Sequence, residues 1–186
     1  MRTARLHRAH DIRLHDEPDP IPNQDEALVR VLAVGLCGSD RHWFMEGGIG
    51  DAVLRRPLVL GHEICGLIEA GARRGERVAV DPSVPCGRCE LCRTDLAHVC
   101  ADAVFAGHSE TDGGLRTLMT WPQRQLVPIP DSMTAVGAAL LEPLAVAIHA
   151  ADLGRVEAGM SAGVFGCGPI GLLLIAVLRS RGVSRI

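Results

Sequence analysis

The stretch Glu26-Ala27-Leu28-Val29-Arg30-Val31-Leu32-Ala33-Val34 runs straight into Gly35-Leu36-Cys37-Gly38-Ser39-Asp40-Arg41-His42. Its apolar, Val-rich first part follows the breakers Pro18, Pro20 and Pro22 and predicts a strand over 26–34. That strand ends on a cysteine, a serine, an aspartate and a histidine within six residues. Working outward, Glu63–Ala70 and Glu76–Val80 read as two more strands, joined by a turn containing Gly71 and Gly75. Leu115–Val127 is a further β-like piece, closed by Pro128 and Pro130, while residues 83–101 are Cys-rich and without period. The first half therefore reads as an all-β barrel or sandwich with an inserted lobe.

The second half changes character. Asp131-Ser132-Met133-Thr134 offers helix-capping residues before the apolar Ala135–Leu141. Pro143 stands where a first helical position tolerates it, and Leu144–Ala151 follows as a helix. Val164-Phe165 reads as a short strand, and Pro169–Arg181 as a helix apolar nearly all round, hence buried. From Ala158 to Leu178 no residue is charged, but five glycines and Pro169 interrupt the run. A strand, a glycine turn and a helix fit this spacing better than a membrane span.

A chain of 186 residues, 47% hydrophobic and 22% charged, can bury a core and amounts to little more than one domain. The net charge of −3 gives no electrostatic reason to expect nucleic acid or a membrane surface as partner. All basic side chains are Arg, and Lys and Tyr are absent. The seven cysteines are clustered, and the opening residues lack an apolar run, which predicts reduced thiols and bound metal in a cytoplasmic protein.

Cys86, Cys89, Cys92 and Cys100 form C-x2-C-x2-C-x7-C. Two intervening residues let neighbouring thiolates curl round one ion, and the longer loop returns the fourth. Four thiolates complete a tetrahedron, so the expected zinc is structural. An iron–sulfur cluster fits less well, since the ferredoxin run has three residues before its last Cys and a Pro after it. Cys37, His62 and Glu63 offer a second set, the thiolate, imidazole and carboxylate of an open catalytic zinc. Taken singly, each also suits an ordinary core or polar role, and spacing alone leaves both readings open.

The Cys37-Gly38-Ser39-Asp40 box, Gly61-His62-Glu63, the four-Cys lobe and Gly166-Cys167-Gly168-Pro169-Ile170-Gly171 occur here in that order. In this the sequence resembles the zinc-dependent medium-chain dehydrogenases from about residue 26 to its end. Glu142-Pro143-Leu144 resembles the polyol branch, which includes sorbitol, L-idonate and threonine dehydrogenases. The box through Trp43-Phe44, with Gly47-Gly48-Ile49-Gly50 and Arg56-Pro57, is most similar to the sorbitol and L-idonate enzymes.

The resemblance implies an α/β plus all-β architecture. A GroES-like β-barrel catalytic domain spans residues 1–151, with its structural-zinc lobe at about 83–101. The first βα unit of a Rossmann doubly wound domain follows over 152–186. It implies two zinc ions per chain, with Cys37, His62 and Glu63 on the catalytic one. Glu142 either binds that ion or holds its water and the substrate hydroxyls. Ser39 would take the proton of a zinc-activated alcohol and His42 would carry it outward. Asp40 is expected to hydrogen-bond His62 and fix its tautomer. Trp43, where sorbitol dehydrogenases usually show Tyr, is expected to line the substrate site.

The glycine turn, G-x-G-x-x-G between strand and helix, would approach the pyrophosphate of NAD or NADP through Gly166, Gly168, Pro169, Ile170 and Gly171. The acidic residue that grips the ribose should come roughly 20 residues past the turn, at or beyond Ile186, so a truncated chain is expected. The expected activity is hydride transfer from a secondary alcohol of a polyol or sugar acid to NAD(P). A homo-oligomer, dimer or tetramer, is the expected intact form. A threonine-type enzyme acting on an amino alcohol is the first alternative, and a non-catalytic zinc-stabilised fragment the second.

Overall fold

The computed structural model describes residues 1–186. The chain opens with a hairpin of β1 (Arg2–Arg8) and β2 (Asp11–Asp16), followed by β3 (Glu26–Gly35), α1 (Gly38–Glu46) and the small ribbon β4 (Gly48–Ile49) and β5 (Ala52–Val53). Then come β6 (Glu63–Ile68), β7 (Arg77–Val80), β8 (Ser83–Val84), α2 (Glu90–Arg93), β9 (Val104–Phe105), β10 (Leu118–Pro122) and β11 (Leu126–Pro128). Helices α3 (Ala135–Ala139), α4 (Leu141–Leu153) and α5 (Pro169–Ser180) close the chain. No helix is long and apolar enough to cross a membrane.

Five strands pair antiparallel in the order β10-β3-β6-β7-β11. Period-two alternation sends Ala27 and Val29 of β3, Met119 and Trp121 of β10, and Val78 and Val80 of β7 into one core with Ile64, Ile68, Ala106 and Leu126. Each buried Val, Leu, Ile or Met side chain there contributes about 1.5–3 kcal/mol. Trp121 enters that core without orphaning its indole N–H, which donates to the Asp81 carbonyl at 2.8 Å. The β3–β6 register shifts between Val31 and Ala33, a bulge that leaves Gly35 opposite Glu63 at the strand ends. A second core joins the amino-terminal hairpin to the helix after β3: Leu6, Trp43, Leu58 and Leu60 pack together.

The hairpin is also held by charge. Arg5 meets Glu17 at 2.6 Å and Asp112 at 2.9 Å, with both partners of each pair largely shielded from solvent. The Arg5 guanidinium holds the Glu17 carboxyl below its ordinary value, chiefly through their hydrogen bond. A depressed carboxylate contributes stability above its unfolded-state pKa, and loses it as pH falls through the folded value. Glu17→Gln is therefore expected to cost about 1–2 kcal/mol at pH 7 and much less at pH 3. Urea melts at the two pH values check this; an equal loss at both would assign the effect to shape rather than charge.

Residues 1–139 form one compact unit and 140–186 another. The expected boundary at 151 cuts through α4, whose Ala147 and Ala151 pack on Val177 and Leu178 of α5, so the helix belongs with the second unit. Pro143 is the third residue of α4 rather than its first. Val164-Phe165 does not form the expected strand. A parallel strand needs a neighbour, and the single bridge here joins Ser161 to Arg185. Phe165 is fully exposed. Helix α5 is not buried all round either: α4 covers one face, while Ile170 and Leu172 face outward.

Candidate metal centres and glycine turn

Strand β3 ends at Gly35, and Cys37 stands immediately before α1 with extended backbone, as a helix-capping residue does. His62 and Glu63 come at the start of β6, the neighbouring strand. Sheet pairing thus brings two sequence-distant segments side by side. The Cys37 sulfur, a His62 ring nitrogen and a Glu63 carboxylate oxygen all lie within 4.8 Å of one another. His62 and Glu63 are buried at 7% and 8% exposure, and Cys37 is half-buried.

Asp40 organises this centre through the backbone. Its carboxylate is buried and accepts the Cys37 N–H and the Gly61 N–H, each at 2.9 Å. It thereby ties the start of α1 to the residue before His62. The expected hydrogen bond to the His62 ring is not made, since the Asp40 oxygen stands 3.9 Å from Nδ1. Each oxygen accepts one of these amides, so Asp40 positions the ligand-bearing segments and leaves the ring out of reach. Burial pushes the His62 imidazole toward its neutral form, partly offset by the Asp40 charge. Burial also raises the Glu63 carboxyl, and the Asp40 charge adds to this. A neutral imidazole, a thiol and two crowded carboxyls with no basic side chain among them suit a divalent cation of the zinc type.

Gly35 makes the carboxylate's place. A Cβ on Gly35 would stand 2.0 Å from Glu63 Oε2, so the Glu63 side chain folds across the bare backbone opposite it. The Phe105 ring lies against the His62 ring with centroids 5.3 Å apart, and the His108 charge also acts on His62. Sequence reasoning singled out neither Gly35 nor Phe105 for this centre. A glycine two residues before Cys37, at the end of the expected strand, was the available signal for the first.

The other expected members are distributed differently. Ser39 and His42 share the first turns of α1 but are not hydrogen-bonded to each other; His42 is exposed and its Nδ1 meets Glu46 at 2.8 Å. Trp43 does not line an open site. It is 1% exposed, packed on Leu6, Leu58 and Leu60, with the His108 ring edge-on at 5.5 Å. A helix turns by about 100° per residue, so Trp43 faces the core while its neighbour His42 faces solvent. Glu142 stands half-buried on α4 in the second unit; the converging trio is formed within the first.

In the lobe, the sulfurs of Cys86, Cys89, Cys92 and Cys100 converge within 4.8 Å. Sulfur separations are 3.9 Å for 86–92, 3.5 Å for 89–92 and 3.8 Å for 89–100. Zinc–sulfur bonds of about 2.3 Å require tetrahedral edges of about 3.8 Å, so the donors already describe a zinc-sized tetrahedron. Backbone N–H groups of Arg88 and Cys89 pull the Cys86 thiol down to about 6, so that it ionises readily.

In the second unit each motif glycine has its own reason. Gly166 has φ +103°, and a Cβ on Gly171 would stand 2.0 Å from the Gly166 carbonyl oxygen. Gly168 caps α5 and faces open space, with Pro169 as the first helical residue. The turn leaves the first amides of a 12-residue helix without helical acceptors, beside a Gly168 that adds no side chain.

The profile of the alcohol dehydrogenase GroES-like domain matches residues 23–131, more than half of the chain. The chain belongs to that family. The GroES-like architecture expected for the first half is thereby borne out. Sorbitol dehydrogenase of Bacillus subtilis is 38% identical over 192 aligned positions, covering 100% of this chain and 54% of that protein. The crystal structure of Escherichia coli L-idonate 5-dehydrogenase superposes with TM-score 0.88 at 31% identity, covering 98% of this chain and 55% of that one. An alcohol dehydrogenase of E. coli CFT073 complexed with NADH gives TM-score 0.91 at 31% identity, covering 99% and 55%. The GroES-like chain spans about half the length of the curated relatives it matches.

Proposed function

We propose that this chain belongs to a zinc-dependent dehydrogenase that moves hydride from a secondary alcohol of a polyol or sugar acid to NAD(P). The observation that carries it is the convergence of Cys37, His62 and Glu63 within 4.8 Å in a member of the alcohol dehydrogenase GroES-like family. The names of the sorbitol and L-idonate relatives support the substrate class.

Cys37, His62 and Glu63 would hold the catalytic zinc, with Glu142 either joining them or holding the substrate hydroxyls. The four lobe cysteines would hold the structural zinc. When bound, the first ion supplies Lewis-acid polarisation of an alcohol oxygen. Asp40 keeps the two ligand segments in register through their amides. Ser39 takes the alcohol proton, and His42, reaching solvent, passes it on. The amides at the start of α5 receive the cofactor pyrophosphate, which the bare Gly168 lets approach. The same reading includes work in the cytoplasm as a homo-oligomer, a dimer or a tetramer. The clustered reduced thiols support the first, and the apolar side chains left exposed on α4 and α5 the second.

Zinc per chain and NADH binding test the proposal together. Two zinc ions are expected, one chelator-labile and one resistant, with Cys37→Ala and His62→Ala each removing the labile one. NADH bound to this chain would be followed by kcat/KM on polyols against amino alcohols. A labile zinc that survives both substitutions overturns the assignment of the centre.

A further inference from the structure

The amino-terminal hairpin carries a feature that the dehydrogenase reading does not use. His7 on β1 and His15 on β2, which is opposite Thr3 in the register, reach toward each other diagonally along the hairpin, with Nε2 atoms 2.8 Å apart and ring centroids 5.0 Å apart. The centroid gap exceeds the nitrogen gap by nearly the two centroid-to-nitrogen radii, so the two Nε2 atoms are aimed at one another. In neutral imidazoles one Nε2–H then donates to the other ring's lone pair.

The spacing is also that of two ligands on one ion. On a tetragonal ion with bonds of about 2.0 Å, adjacent nitrogens stand about 2.8 Å apart; on a tetrahedral ion the edge is about 3.3 Å and the ring centroids about 5 Å apart. The pair has the nitrogen spacing of adjacent ligands on a tetragonal ion, but its rings point head to head, so each ring must swing about its χ angles for both lone pairs to converge on one ion. Both side chains are half-buried, which reduces the rotamer freedom that chelation removes. The flanking charge is balanced: Arg5 is paired with Glu17 and Asp112, and Arg8 and Arg13 with Asp11. A cation therefore meets no unpaired guanidinium from the residues beside either histidine.

We infer that His7 and His15 form a two-imidazole site for a divalent ion of the nickel–copper class, which clips β1 to β2 once the shared Nε2 hydrogen has passed through water to Nδ1 of its own ring. The remaining coordination positions face water, so binding is reversible and competes with protons. Its consequence is mechanical: an ion here closes the hairpin that Leu6 anchors to Leu58.

Calorimetric titration of the zinc-loaded full chain with Ni(II) tests this, with zinc content followed by metal analysis so that the cysteine sites stay out of the count. One Ni(II) per chain is expected with no zinc displaced. His7→Gln and His15→Gln should each weaken it at least about tenfold, while His10→Gln, altered at the hairpin turn, leaves it unchanged. The melting temperature of the parent chain should rise with Ni(II), and that rise should vanish in both variants. Nickel bound equally by parent and both variants, or no nickel beyond the zinc sites, overturns the inference and leaves only the shared proton.

Discussion

Cys92→Ser chains are expected to hold one zinc fewer than the parent and to be cut by trypsin after Arg88 or Arg93, where the parent resists. The lobe between Cys86 and Cys100 has almost no core of its own. Its α2 has four residues, the following 3-10 turn has three, and Arg88, Arg93, His98 and Val99 are exposed. Helical pieces this short do not persist alone. Four sulfurs at the edges of a zinc-sized tetrahedron supply the missing cohesion, and metal binding in small thiolate modules is worth about 10–16 kcal/mol. Loss of one ligand should therefore melt the lobe locally while the five-stranded sheet, with its separate core, stays folded. Limited proteolysis with mass analysis, beside circular dichroism of the sheet, reads both parts. The parent stripped by a strong chelator should give the same fragments. A Cys92→Ser lobe that resists trypsin as well as the parent would show that packing, not metal, holds it.

That lobe was legible in the sequence because its information is local: two-residue spacings bring thiolates to one point whatever the rest of the chain does. The strand at 26–34 was legible for a similar reason, since apolar residues after three prolines leave few alternatives. What failed was non-local. Val164-Phe165 has the composition of a strand, yet a parallel strand exists only with its neighbour, and no neighbour is paired there. Trp43 sits next to His42 in sequence but a third of a turn away on α1, so it joins Leu6, Leu58 and Leu60 in the core. Asp40 was expected at the His62 ring, whereas its carboxylate meets the Cys37 and Gly61 amides, partners that composition cannot show. The boundary at 151 missed for the same reason: it ignored that α4 shows Ala147 and Ala151 to α5.

Gly35 is the sharpest case of non-local information, and Gly35→Ala is expected to weaken the chelator-labile zinc about 10–100-fold with little change in melting temperature. The position does not need glycine's conformational freedom, since its φ lies outside the left-handed range, so alanine fits the backbone. The obstacle is a single side chain. The new Cβ would stand 2.0 Å from Glu63 Oε2 and 3.0 Å from Glu63 Cβ and Cδ, and the carboxylate must swing away. Its removal leaves Cys37 and His62 to hold the ion with one protein ligand fewer. Packing elsewhere on β3 and β6 is untouched, because Val29 and Ile68 lie further along the strands and Ile64, next to Glu63, points into the core on the other face of the sheet. Chelator competition on four proteins separates this from general damage: parent, Gly35→Ala, Glu63→Ala and the double variant. If Gly35 acts only through Glu63, the glycine substitution costs zinc affinity in the parent and almost none when Glu63 is already alanine. Additive losses would mean that Gly35 shapes the Cys37 turn directly. An unchanged labile zinc in Gly35→Ala would remove Glu63 from the ligand set and leave the centre to Cys37 and His62 with a ligand from elsewhere.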